Sequence, residues 1–147
     1  MMRALVDPNV FISFLLKPES ATPPGQIFKA ALFRRFALLL PNSVVEEFSR
    51  AIATKPYLNE RIDQNDFDAF LVNLLAVAER SEILHNKPAA LVRDVKDDYL
   101  LAHAVLERAD YIVSGDHDLQ ALRDVFPIRI VTPAEFAQLL AELPDEI

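Results

Sequence analysis

Acidic residues stand at four places in the chain where they could do chemistry together: Asp7, Glu47, Asp98 and Asp116, with Glu46, Asp97 and Asp118 beside them. Asp7 and Asp116 end strand-like runs, and Glu47 and Asp98 fall in stretches of helical pattern. Two unit charges ~4 Å apart repel by ~1 kcal/mol in water and ~4 kcal/mol at an effective dielectric of 20. A cluster of them therefore needs raised pKa values or a bound cation. No Lys or Arg accompanies Asp7, Asp116 or Asp118 in sequence. All-oxygen ligands suit Mg²⁺ or Mn²⁺. Such ions, held by carboxylates, activate water toward a phosphodiester.

Each acid also has a plainer role open to it. Asp7 directly follows Ala4-Leu5-Val6 and could simply cap a helix over Val10–Leu16. Asn9 is an equally good cap and would free Asp7 for other work. Ser43-Val44-Val45-Glu46 reads as a capping box, which gives Glu46 a structural task. Stepping ~100° per residue puts Val44, Val45, Phe48, Ala51 and Ile52 on one face. Glu46 then points away from that face. Glu47 lies at its edge, either a partly buried carboxylate or an ordinary flanking charge. Within Lys96–Glu107, Asp98 lies on a stripe with Leu101, Ala102 and Val105, whereas Lys96, His103 and Glu107 lie opposite. A carboxylate on a buried stripe needs a partner, which favours a working role for Asp98. Asp97 falls at the margin, where a helix-terminal acid is natural. Asp116 and Asp118 follow Tyr111-Ile112-Val113-Ser114-Gly115, and Asp116 could merely cap the next helix. His117 and His85 read as loop surface, so a His-rich metal site is not expected.

The elements that must position these acids alternate in type. Ala4–Val6, Ala37–Leu40, Tyr111–Ser114 and Arg129–Val131 read as short buried strands. Val10–Leu16, Gln26–Arg35, Ser43–Ala53, Asp66–Ala78, Lys96–Glu107, Asp118–Leu122 and Ala134–Leu140 read as helices. Alternation of this kind predicts a three-layer α/β/α sandwich around a short, mostly parallel sheet. In such sheets the working site lies at the carboxyl ends of the strands. Residues 17–25 read as a surface loop, with further breaks at Lys55-Pro56, Lys87-Pro88, Pro127 and Pro133.

At 147 residues the chain has the length of one domain. It is 52% hydrophobic, enough for a packed core, and has no cysteine, which excludes disulfides, thiolate-bound metals and thiol nucleophiles. Only two glycines are present, so no Gly-rich phosphate loop can be written. The opening residues reach Asp7 before a signal-peptide core could form, and no apolar run suits a membrane helix, so a cytoplasmic location is expected. The net charge is −7. Residues 1–93 are near neutral, with 11 Lys/Arg against 10 Asp/Glu, whereas residues 94–147 have 4 against 12. That balance argues against broad binding to long nucleic acid but leaves room for a short basic groove.

Taken in order, these segments resemble the PIN domain family. Val6-Asp7-Pro8-Asn9-Val10-Phe11-Ile12-Ser13 is similar to its opening motif and Val45-Glu46-Glu47-Phe48 to its second acidic position. Asp97-Asp98-Tyr99-Leu100-Leu101-Ala102 resembles the third, and Val113-Ser114-Gly115-Asp116-His117-Asp118-Leu119 the fourth. The closing Arg129–Phe136 segment resembles a bacterial branch of VapC-like toxins from toxin–antitoxin systems. The resemblance implies a single PIN-like domain over residues 1–147 and a Mg²⁺- or Mn²⁺-dependent ribonuclease. Asp7, Glu47, Asp98 and Asp116 would hold the metal, Asn9 and Ser114 would orient ligands and water, and Asp118 would assist. It also implies an RNA substrate, an antitoxin protein as partner and a homodimer. Pro8 departs from the family pattern, which has Thr there; it removes a hydroxyl and an N–H. An inactive PIN-like module for RNA or protein assembly is the alternative that Pro8 motivates.

Basic residues that could hold RNA lie in the N-terminal half: Lys17, Lys29, Arg34, Arg35, Arg50, Lys55 and Arg61. Phe33-Arg34-Arg35-Phe36 interleaves rings and cations as stacking surfaces do. Equally, the two arginines could complement a helix dipole while the phenylalanines enter the core. An aspartyl-phosphate enzyme built on Asp7 is disfavoured. The second acid such sites place two residues on is Asn9 here, and no Lys follows the last strand.

Overall fold

The computed structural model describes residues 1–80, 95–123 and 128–144, with the backbone alone for residues 95–98. His85, the Lys87-Pro88 break, Pro127 and the side chains of Asp97 and Asp98 lie outside the described residues.

Four strands form the sheet: β1 (Arg3–Val6), β2 (Ala37–Leu39), β3 (Tyr111–Val113) and β4 (Arg129–Val131). All are parallel, in the order β2-β1-β3-β4. Helices α1 (Pro8–Leu16), α2 (Pro23–Leu32), α3 (Asn42–Thr54), α4 (Pro56–Arg61), α5 (Gln64–Val77), α6 (Val95–Leu106), α7 (His117–Gln120) and α8 (Pro133–Ala141) flank it. This is the α/β sandwich that the alternation predicts. After β1 the chain moves to one side, to β2, and later returns to build β3 and β4 on the other. The order therefore reverses between β1 and β3, and in doubly wound sheets that reversal opens a crevice at the strands' carboxyl ends.

Proline and capping residues set most helix starts. Asp7, Thr22 and Thr132 are N-caps, each followed by Pro at the first helical position, where its missing N–H and fixed φ are harmless. The loop read over residues 17–25 therefore ends early, with α2 beginning at Pro23. Gly25 is required there, because a Cβ would sit 2.1 Å from the Glu19 carbonyl oxygen. Pro56, read as a break, likewise opens the short helix α4.

Aromatic packing holds the site-bearing helices in place. Phe11 of α1 stacks on Phe48 of α3 at 6.4 Å between centroids, and Phe48 meets Phe67 of α5 edge-on at 5.0 Å. Phe11 and Phe48 are fully buried, so the helix that begins at Asp7 is fixed against the one that carries Glu47. Phe36 is core as expected, but Phe33 is exposed, because α2 ends at Leu32 and the turn carries Phe33 off the sheet.

Two further expectations change. The Ser43–Glu46 capping box does not form: α3 starts at Asn42 behind Pro41, which offers no side-chain cap, so Ser43 falls inside the first turn. On α6 the buried face runs through Leu100, Leu101, His103 and Ala104, whereas Val105 is exposed. His103 thus faces inward, and its Nε2 lies 3.2 Å from the Ser43 hydroxyl. Burial lowers its pKa below the ordinary value of 6.5.

Candidate active site at the carboxyl edge of the sheet

Asp7 leaves the end of β1 and Ser114 the end of β3, on either side of the reversal in strand order. The ladder extends one step past the strands: the Asp7 N–H donates to the Val113 carbonyl at 2.9 Å, and the Ser114 N–H to Val131 at 2.9 Å. Ser114 is fully buried and Asp7 is 4% exposed. The Ser114 hydroxyl donates to Asp7 Oδ2 at 2.8 Å and accepts from the Asp116 N–H at 3.0 Å. One hydroxyl thus couples the two acids. Asp7 Oδ1 accepts from the Asn9 N–H at 3.0 Å. Asp116 caps α7, its Oδ1 accepting from the Asp118 and Leu119 N–H groups at 2.7 and 3.2 Å. The Gln120 side chain donates to the Ser114 carbonyl at 2.6 Å and pins the turn.

Asp7 and Asp116 line a cavity of about 200 Å³ together with Glu47 and Lys55. Burial is the main cause that raises the Asp7 pKa above its ordinary 3.8. The bonds from Asn9 and Ser114 oppose that shift, and the negative charges of Glu47 and Asp116 add to it. Asp7 is thus a carboxylate held by neutral donors and repelled by two others.

Most of the expected residues meet here, with changed roles. Asp7 is itself the α1 cap, and Asn9 is an exposed first-turn residue that contributes its backbone N–H. Glu47 is half-buried and Glu46 exposed, as the helical face predicts. Asp118 contributes a backbone donor and is not among the described cavity-lining residues. Pro8 lines the cavity at the first position of α1, so the N–H it lacks is one that the helix leaves unpaired in any case. His117 is exposed, as read. The ranking of Asp98 over Asp97 used a stripe through Val105, which is not the buried face, and neither side chain is among those described. Among the described residues no three Asp, Glu or His side chains stand close enough to form a ready-made ion site.

The arginine pair does not join this site. It lies just before β2, at the amino edge of the sheet. Arg34 adopts φ 54° in the turn that ends α2, and Arg35 donates to the Leu143 and Pro144 carbonyls at 3.5 and 3.1 Å. Lys17 closes α1 at its far end, 3.9 Å from Glu19. Lys29 lines a groove between α2 and α8, and the Arg61 guanidinium lies 4.0 Å from the Tyr57 ring centroid. Lys55 is the cation that lines the acid cavity among the described residues. It had appeared in sequence only as one basic residue of several, because the break at Pro56 concealed the α3–α4 corner that places it there.

An α/β domain whose acids gather at the strand-order reversal is the class that fold and site define. The family model for the PIN domain matches residues 3–118, and the chain belongs to that family. A search of curated proteins returned no match. PIN domains are generally nucleases and typically use divalent metal ions. The chain fits such an ion in chemistry, since its buried Asp7 carries a charge that two neighbouring carboxylates oppose and no described cation pairs with. No helix among the described residues is long and apolar enough to cross a membrane.

Proposed function

We propose that the chain is a Mg²⁺- or Mn²⁺-dependent endoribonuclease, folded as one domain over residues 1–147. The observation that carries this reading is the Asp7–Ser114–Asp116 bridge, with Glu47 on the same cavity. Asp7, Glu47, Asp98 and Asp116 are the residues that would hold the ion. When bound, such an ion lowers the pKa of water and polarises the phosphodiester. The chain's own residues orient the rest. Ser114 and the Asn9 N–H occupy both Asp7 oxygens with donors, which keeps the carboxylate in one rotamer. The turn into α7, pinned by Gln120, keeps Asp116 beside it.

In this reading the protein is the cytoplasmic toxin of a toxin–antitoxin pair, with an antitoxin protein as partner and a homodimer as its assembly. The likeness of the Arg129–Phe136 segment to that branch supports it. The test is cleavage of a single-stranded RNA with Mn²⁺, with EDTA, and with Asp116→Asn. Cleavage is expected only with metal, and the variant should lose at least about a hundredfold, the upper range for disturbing even an outer partner of a metal ligand. Metal-independent cleavage, or none by a folded wild type, contradicts the reading; the second result favours an inactive binding module.

A further inference from the structure

A second hollow of about 230 Å³ adjoins the acid cavity and shares Glu47 and Leu100 with it. Its lining adds Ser43, Glu46, Arg50 and Tyr99 to the shared Glu47, with no aspartate. Arg50 stands three residues beyond Glu47 on α3, one turn further along the same helix. Its guanidinium makes no ion pair or hydrogen bond among the described residues. Tyr99 is half-buried on α6 and offers the ring. Lys55 lies at the acid cavity. The order across the two hollows is thus guanidinium and ring in one, the shared Glu47 between them, and ammonium in the other.

That order matches a single polynucleotide strand. Sequence-specific RNA recognition uses unstacked bases laid on aromatic rings or guanidinium planes. Pockets for whole drug-sized ligands run to ~300–1,000 Å³, so a hollow of about 230 Å³ suits one base. We infer that this hollow holds the nucleotide adjacent to the phosphodiester seated at the acid cavity, with Tyr99 stacking on its base and Arg50 on its phosphate. Lys55 contacts the phosphate on the other side. The inference rests on the nuclease reading above, but its test does not require cleavage.

The test is fluorescence anisotropy with a labelled 12-nucleotide single-stranded RNA in EDTA, on the full chain. Tyr99→Ala should weaken binding about tenfold, within the range for losing one base–aromatic stack. Tyr99→Phe, which keeps the ring, should bind as the wild type does. Arg50→Ala, at an exposed position, should flatten the plot of log Kd against log salt by about 0.7, one phosphate contact to a single strand. A duplex of the same sequence should compete poorly. No RNA binding by the wild type, wild-type affinity in Tyr99→Ala, an unchanged salt slope in Arg50→Ala, or equal competition by duplex would each overturn the inference. Loss of stabilisation by Mn²⁺ would instead strike the metal reading alone.

Discussion

The two edges of the sheet use charge in opposite ways. At the amino edge, Arg34 and Arg35 serve the fold: one turns the chain out of α2, and the other donates to the Leu143 and Pro144 carbonyls. At the carboxyl edge, Asp7 is buried with only neutral donors while Glu47 and Asp116 oppose its charge. Charge at the first edge is absorbed by backbone groups. At the second it is concentrated against its own repulsion, as functional sites do. Clustering in sequence therefore puts the arginines at an edge remote from the acids, whereas position relative to the strand ends brings Asp7 and Asp116 onto one cavity.

Among changes that leave the four acids in place, breaking the Ser114 bridge should have the largest effect. Ser114→Ala removes a donor to Asp7 and an acceptor for the Asp116 N–H. RNA cleavage should fall by about 10–100-fold, the scale for removing a partner that orients a metal ligand. Steady-state cleavage at saturating Mn²⁺ measures this, and full activity would show that the two acids are positioned independently.

The pH dependence comes next. The folded pKa of Asp7 lies above 3.8, so between the two values folded protein keeps a proton that unfolded chain has released. The contribution of Asp7 to stability without metal is therefore greatest below that window and is lost as pH rises through the raised pKa. Asp7→Asn should remove this loss and melt higher than the wild type near neutral pH in EDTA. His103 acts with the opposite sign, because its lowered pKa costs stability as pH falls below 6.5. Melting curves from pH 4 to 8 separate the two, and parallel profiles for wild type and Asp7→Asn would refute the assignment to Asp7.

The smallest effect belongs to the amino edge. Arg34→Gly relieves a left-handed residue, a conformation that costs an L-residue about 1–2 kcal/mol. It should raise stability by up to about 1 kcal/mol and leave RNA cleavage unchanged. A loss of cleavage would put the arginine pair back among the RNA contacts.

Much of this contrast was legible in the residues. Short β-rich runs ending in Asp7 and in Ser114-Gly115-Asp116 locate the carboxyl edge, because buried parallel strands read as continuous apolar runs. The α3 face separates Glu47 from Glu46 correctly. The failures share a cause in tertiary placement. His103 looked polar and outward, yet the seam with Ser43 takes it in while Val105 and Leu106 stay exposed. Pro56 looked like a break but begins a helix, so the corner that puts Lys55 at the cavity was missed. For Ser114 only the family resemblance suggested an orienting role, because its joining of Asp7 to Asp116 requires β1 and β3 to be neighbours, a pairing across 107 residues that local pattern does not carry.

The central claim is that the carboxyl edge is a divalent-ion site, and thermal melting against Mn²⁺ tests it most directly. A ligand that binds only folded protein stabilises it by RT ln(1 + [L]/Kd), about 2.7 kcal/mol at a hundred times Kd. The account predicts that Mn²⁺ raises the melting temperature of the wild type and that Glu47→Gln and Asp7→Asn respond weakly or not at all. A wild type that gains no stability up to millimolar Mn²⁺, or variants that gain as much as it does, would contradict it.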